Sequence, residues 1–81
     1  MHSKEKIFKW VVDILVHEFG FSPQDLRLDT HLIDDLDMDS IDAIDMAVRI
    51  EEKTNLSLNE EDLRSILTIQ NAVDLINERR P

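Results

Sequence analysis

Asp39-Ser40-Ile41-Asp42-Ala43-Ile44-Asp45-Met46-Ala47-Val48-Arg49-Ile50-Glu51-Glu52-Lys53 decides the fold class. The stretch has no Gly or Pro to interrupt a helix, and Asp39 stands where an N-cap belongs. At about 100° per residue, Ala43, Met46, Ala47 and Ile50 share one face. Ile41, Ile44 and Val48 form a second, adjacent stripe. Asp42, Asp45, Arg49 and Glu52 fill the remaining wedge. The apolar arc is wider than one core contact requires. Two arrangements fit it: both stripes buried among other helices, or one stripe in the core and the other exposed inside an acidic rim. The second is the form of a partner surface. The pattern alone leaves both open.

Helical spacing recurs on either side of this stretch. Ile7, Val11, Ile14 and Leu15 follow i, i+4, i+7, i+8, which predicts a first helix over residues 3 to 17. Phe8, Val12 and Phe19 widen its apolar face, Ser3 is positioned to cap it and Gly20 to end it. Residues 21 to 38 read as a long loop. It contains one capped turn at Ser22-Pro23-Gln24-Asp25 and the apolar anchors Leu26, Leu28, Leu32, Ile33 and Leu36. Asn55 is placed to end the second helix. Asn59 with Asp62 opens a short third, given an apolar side by Leu63, Ile66 and Leu67. Thr68 caps a fourth, in which Ile69, Ala72, Val73 and Ile76 repeat at helical spacing, with Arg79 and Arg80 at the end that suits cations. No stretch alternates as a strand does. The expected fold is all-α: a four-helix bundle with a long loop between helices one and two and a short third helix, residues 1 to 81 forming a single domain.

Eighteen acids face nine Lys and Arg in 81 residues, a net charge of −9. Between residues 34 and 62 eleven acids are opposed only by Arg49 and Lys53, so all of the excess lies there. A solvated acidic face is one reading of this, and a docking surface for basic partners is the sharper one. Nucleic acid and anionic membrane are disfavoured, because their phosphates would be repelled. No apolar run approaches the ~20 residues that span a bilayer, and no cysteine offers a thiolate or a disulfide. The expectation is a soluble cytoplasmic domain, monomeric when free.

Catalytic chemistry has no foothold in this chain. His2, His17 and His31 are scattered, and no Ser has a His and Asp arranged around it. The alternating Asp35, Asp37 and Asp39 invite a calcium loop. An EF-hand register starting at Asp35 places Ser40 where Gly is required and Met46 where a bidentate Glu is required. No metal site is expected.

Asp39-Ser40-Ile41 at the head of the acidic helix resembles the Asp-Ser-Leu motif of acyl carrier proteins. The likeness extends through Asp34-Asp35-Leu36 before it, Glu51-Glu52 after it, and Thr68-Ile69-Gln70-Asn71-Ala72-Val73-Asp74-Leu75-Ile76 at the end. It covers in effect the whole chain. It implies a carrier, not an enzyme. In that family a transferase attaches 4′-phosphopantetheine to the serine, and the terminal thiol of the arm carries acyl groups as thioesters. Carried over by position, Ser40 is the attachment residue, beside Asp39. Asp39, Ile41, Asp42, Ile44, Asp45, Val48, Glu51 and Glu52 form the partner surface. Met46, Ala47, Ile50, Leu63 and Ile66 are candidates to line an acyl pocket. The implied partners are a phosphopantetheinyl transferase and ketosynthase, ketoreductase, dehydratase and acyltransferase-type enzymes with basic patches, in fatty acid or polyketide-type synthesis. A helix N-terminus suits the phosphodiester independently, because its free N–H groups and dipole favour an anion.

The chain departs from the family pattern in three places. Asp37 stands where Gly usually follows Asp-Leu, Ile41 replaces Leu, and Asn59 stands where Pro often precedes the third helix. Peptidyl carriers tend toward a Gly-Gly-x-Ser context, which is absent. The alternative from another class is an unmodified acidic helical module that binds a basic partner.

Overall fold

The computed structural model describes residues 4–79. Helix α1 spans Lys4–Phe19, α2 Ser40–Thr54, α3 Glu60–Ser65 and α4 Ile69–Arg79, with a single 3₁₀ turn at Pro23–Asp25. No strand occurs among the described residues, and His31 and Thr68 make one isolated antiparallel bridge. The all-α four-helix architecture is the expected one. Helix α1 runs two residues further than its spacing suggests. The proposed Ser3 cap and Arg80 lie outside the described residues.

Local signals set the helix ends. Asp39 accepts a hydrogen bond from the Asp42 N–H at 2.8 Å and caps α2. Asn59 and Asp62 form a reciprocal capping box on α3. The Thr68 hydroxyl accepts from the Asn71 N–H at 3.1 Å, while the Asn71 side chain accepts from the N–H groups of Leu67 and Thr68. Ser22 precedes its turn as expected, but its side chain makes no cap bond; the turn is held by the Asp25 N–H donating to the Ser22 carbonyl at 3.0 Å. Helix α3 is shorter than its apolar pattern, which leaves Ile66 and Leu67 beyond its end. Ile66 still turns into the core, whereas Leu67 is exposed.

Among the described residues three left-handed ones stop helical turns: Gly20 (φ 79°), Asp37 (φ 60°) and Asn55 (φ 61°). Gly20 and Asp37 do so in the same way. Each donates its N–H to the carbonyl four residues back, and the next residue donates to the carbonyl six residues before itself. That next residue is apolar in both cases, Phe21 or Met38, and packs against the core. The position where glycine was missing is therefore one where the backbone asks for it. A side chain there costs about 1–2 kcal/mol, eased for Asp by its short polar side chain. Asp37→Gly is expected to raise stability by up to about 1 kcal/mol, and Asp37→Ala to lower it, in parallel denaturant titrations.

The core joins Ile7, Val11, Ile14 and Leu15 of α1 to Met46, Ala47 and Ile50 of α2 and to Ile69, Ala72, Val73, Leu75 and Ile76 of α4. Helix α1 packs on both α4 and α2, and α3 leans on α2. The loop completes this core unevenly. Leu26 and Leu32 are buried and Leu36 is half-buried, but Leu28 and Ile33, expected as anchors, are exposed. The structure uses Met38 instead. The loop is also sewn to the start of α4. The Leu32 N–H donates to the Leu67 carbonyl, and the Ile69 and Gln70 N–H groups donate to the Thr30 and Leu28 carbonyls, at 2.8–3.1 Å. The first free N–H groups of α4 are thus satisfied by the loop.

Lys4 and Asp74 tie α1 to α4 at 2.9 Å. The Lys4 hydrogen bond holds the Asp74 carboxyl below its ordinary value, against a smaller opposing effect of desolvation and with help from Gln70. A depressed carboxylate stabilises the fold above the unfolded pKa of about 3.9 and loses that contribution as the pH falls through the folded value. Asp74→Asn is expected to cost about 0.2–1 kcal/mol at neutral pH, as for partly exposed pairs. The gap from the parent chain should close below about pH 4. Urea titrations at neutral and acidic pH measure it.

Candidate functional site

Ser40 is the first residue of α2 and is exposed. Two neighbours fix it. Asp39 supplies the cap, so Ser40 is not needed for that task, and Asp37 with Met38 closes the preceding turn against the core. That turn is itself braced by His31, whose Nδ1 accepts from the N–H groups of Ile33 and Asp34 while the Asp35 carboxylate accepts from the His31 N–H. In the sequence His31 is one of three scattered histidines. Its signal was the Asp four residues on, at the spacing of a local cap. The serine hydroxyl therefore sits at a rigidly started helix, unburied, where a substituent can leave into solvent.

The structure settles the two stripes of α2. Met46, Ala47 and Ile50 are buried, whereas Ile41, Ile44 and Val48 are 74%, 46% and 38% exposed. The exposed stripe begins at the residue after Ser40 and runs along the helix. A large residue such as Ile41 held in water gives up its transfer energy unless a partner covers it.

The acids of this surface are not equivalent. The Asp39 carboxylate is spent on its own helix. Glu51 turns inward to accept the Leu58 N–H at 2.8 Å, bracing the link to α3. Asp45 lies 3.5 Å from the Arg49 Nε one turn on, and Arg49 also hydrogen-bonds Glu18 of α1 and lies over the Phe19 ring. The Glu18 hydrogen bond, then the charge of Asp45, raise the Arg49 guanidinium above its usual range. Asp42 and Glu52 have no ion pair among the described residues. Asp62, counted in the acidic run, is buried and pairs with Arg79 at 2.7 Å, linking α3 to the end of α4.

The five pocket candidates are core residues. Met46, Ala47, Ile50 and Ile66 are buried and Leu63 is half-buried against them. A depression of about 720 Å³ opens elsewhere, between α1, the loop and α4, where Phe8, Leu26, Leu28 and Val73 supply its apolar walls. None of the five lines it.

Among the described residues no three His, Cys, Asp or Glu are arranged to hold a metal ion, and no helix is long and apolar enough to cross a membrane. The crowded carboxylates should respond to salt as a diffuse charge. Melting temperature is expected to rise from low to moderate ionic strength, with divalent cations acting without a fixed stoichiometry. Calorimetric scans in sodium and magnesium chloride measure both.

Residues 9–76 match the family model described as a phosphopantetheine attachment site. The chain is 31% identical over 77 residues to an acyl carrier protein of Petrotoga mobilis, covering 95% of this chain and 91% of that protein. It is 32% identical over 79 residues to one of Cyanidium caldarium, covering 98% and 92%. It is 34% identical over 76 residues to one of Renibacterium salmoninarum, covering 94% of each chain. Such proteins are carriers rather than enzymes, bear phosphopantetheine and serve biosynthetic enzymes. A helical bundle of matching length agrees with those matches over nearly the whole chain: it belongs to the phosphopantetheine-bearing acyl carrier proteins.

Proposed function

We propose that Ser40 carries 4′-phosphopantetheine through a phosphodiester and that the chain presents acyl thioesters on that arm to the enzymes of a fatty acid or polyketide-type pathway in the cytoplasm. The observation that carries this reading is an exposed serine as first residue of a fifteen-residue helix already capped by Asp39. The residues fit the group. The hydroxyl is free for esterification, and the helix N-terminus offers backbone N–H groups and a positive dipole end to the phosphate. The arm supplies the one thiol in a chain that has no cysteine. The transferase and the later ketosynthase, ketoreductase, dehydratase and acyltransferase-type partners meet Ile41, Ile44 and Val48 inside a rim of acids, basic patches facing the carboxylates. Met46, Ala47, Ile50, Leu63 and Ile66 are the side chains that part to admit an acyl chain between the helices. Their burial makes this an opening of the core, offset at ~0.8 kcal/mol per sheltered CH₂.

Incubation with a phosphopantetheinyl transferase and coenzyme A, followed by mass spectrometry of the tryptic peptide 28–49, tests the attachment. That peptide holds Ser40 as its one serine. The expected result is one phosphopantetheine on it. No adduct, or an adduct on another peptide, refutes the assignment.

A further inference from the structure

We propose that Arg49 is a specificity-determining residue: by engaging Asp45 and Glu18 it withdraws Asp45 from docking and concentrates the acidic contact for a basic partner on Asp42, beside Ser40. The inference rests on α2 being the partner-facing helix. It is carried by the distribution of ion pairs on that helix.

Arg49 is one of two cations among the residues from 34 to 62. Its guanidinium hydrogen-bonds Glu18, lies near Asp45 and sits 5.8 Å from the Phe19 ring centroid. Its Nε is enclosed and makes no hydrogen bond; the half-exposed Asp45 carboxylate lies 3.5 Å from it as an ion pair. A guanidinium stays charged throughout the accessible pH range. A partner's Lys or Arg approaching Asp45 therefore meets a fixed cation and must break an existing pair. At Asp42 it meets neither. Asp42 is exposed, has no ion pair among the described residues, and adjoins Ile41 and Ser40. Charge and apolar contact coincide there, at the reacting end of the helix. Glu52, also unpaired, lies three turns away at the other end. Glu51 is occupied by the Leu58 N–H.

The occupant is the basic face of the modifying transferase, so kcat/KM for phosphopantetheinylation of the full chain at near-physiological salt is the readout. Asp42→Asn is expected to lower kcat/KM about fivefold or more, and Asp45→Asn to change it by less than about twofold. Removing the arginine should release Asp45: Arg49→Gln raises kcat/KM, and in that background Asp45→Asn becomes costly, about fivefold. Circular dichroism establishes folding of each variant. Arg49→Met, which keeps an apolar stem over Phe19, replaces Arg49→Gln if the latter does not fold. Equal losses for Asp45→Asn in both backgrounds, or an Asp45→Asn loss matching that of Asp42→Asn in the parent chain, overturn the role of Arg49 while leaving the attachment site intact. A parent chain that gains no phosphopantetheine overturns the attachment site and this inference together.

Discussion

Ser40→Ala is expected to fold like the parent chain and to accept no phosphopantetheine at all. The two halves of that result have separate causes. The cap of α2 is the Asp39 carboxylate, bonded to the Asp42 N–H, so losing the Ser40 hydroxyl removes no cap. The side chain is exposed, and alanine is the better helix former. Stability should change by no more than about 0.5 kcal/mol. Modification, by contrast, loses its only acceptor atom. Asp39→Ala acts first on the fold. It removes the cap at a cost of about 1 kcal/mol and leaves the acceptor in place. Thermal melts beside mass spectra separate the two. An adduct that persists in Ser40→Ala would place the acceptor elsewhere and end the proposed reading.

A large loss of stability is expected from Leu32→Ala. Leu32 lies in the loop yet is fully buried. Its N–H donates to the Leu67 carbonyl, and its own carbonyl accepts from the Met38 N–H. Truncation leaves a cavity at the point where the loop, the α3–α4 connection and the turn before α2 meet. Such substitutions cost about 2–5 kcal/mol, a large share of the 5–15 kcal/mol that stabilises a typical domain. The melting temperature should fall by about 10 °C or more. Leu28→Ala in the same loop is the control. At 43% exposure it should change stability far less. If the two variants melt alike, the loop is not a packed part of the core. Because this loop delivers the chain to Asp39, its loosening should also slow modification of Ser40 before global unfolding.

Much of the bundle was legible because its signals are short-ranged. Asp39, Asn55, Asn59 and Thr68 act on backbone groups within four residues, so their type and spacing announce the helix ends directly. Asp37 was legible only in part. The missing glycine marked the position, but its left-handed backbone emerged with the turn that ends in Met38. The loop anchors were read by hydrophobicity alone, which does not distinguish Leu32 from Leu28. Which of them is buried depends on Leu67 and α4, more than thirty residues away.

The sequence by itself determined four helices, the place of Ser40 at the head of the second and the crowding of acids around it, since periodicity, caps and charge are properties of neighbouring residues. Only the tertiary structure decided which stripe of α2 faces water and which acids are free. The reason is that burial and ion pairing are set by partners remote in the chain. Packing of α2 on α1 and α3 covers Met46, Ala47 and Ile50 and leaves Ile41 in solvent. The same packing brings Glu18 and Phe19 of α1 to Arg49, which in turn engages Asp45. The −9 of the sequence thereby becomes an uneven surface, with Asp42, beside the serine, in no ion pair among the described residues.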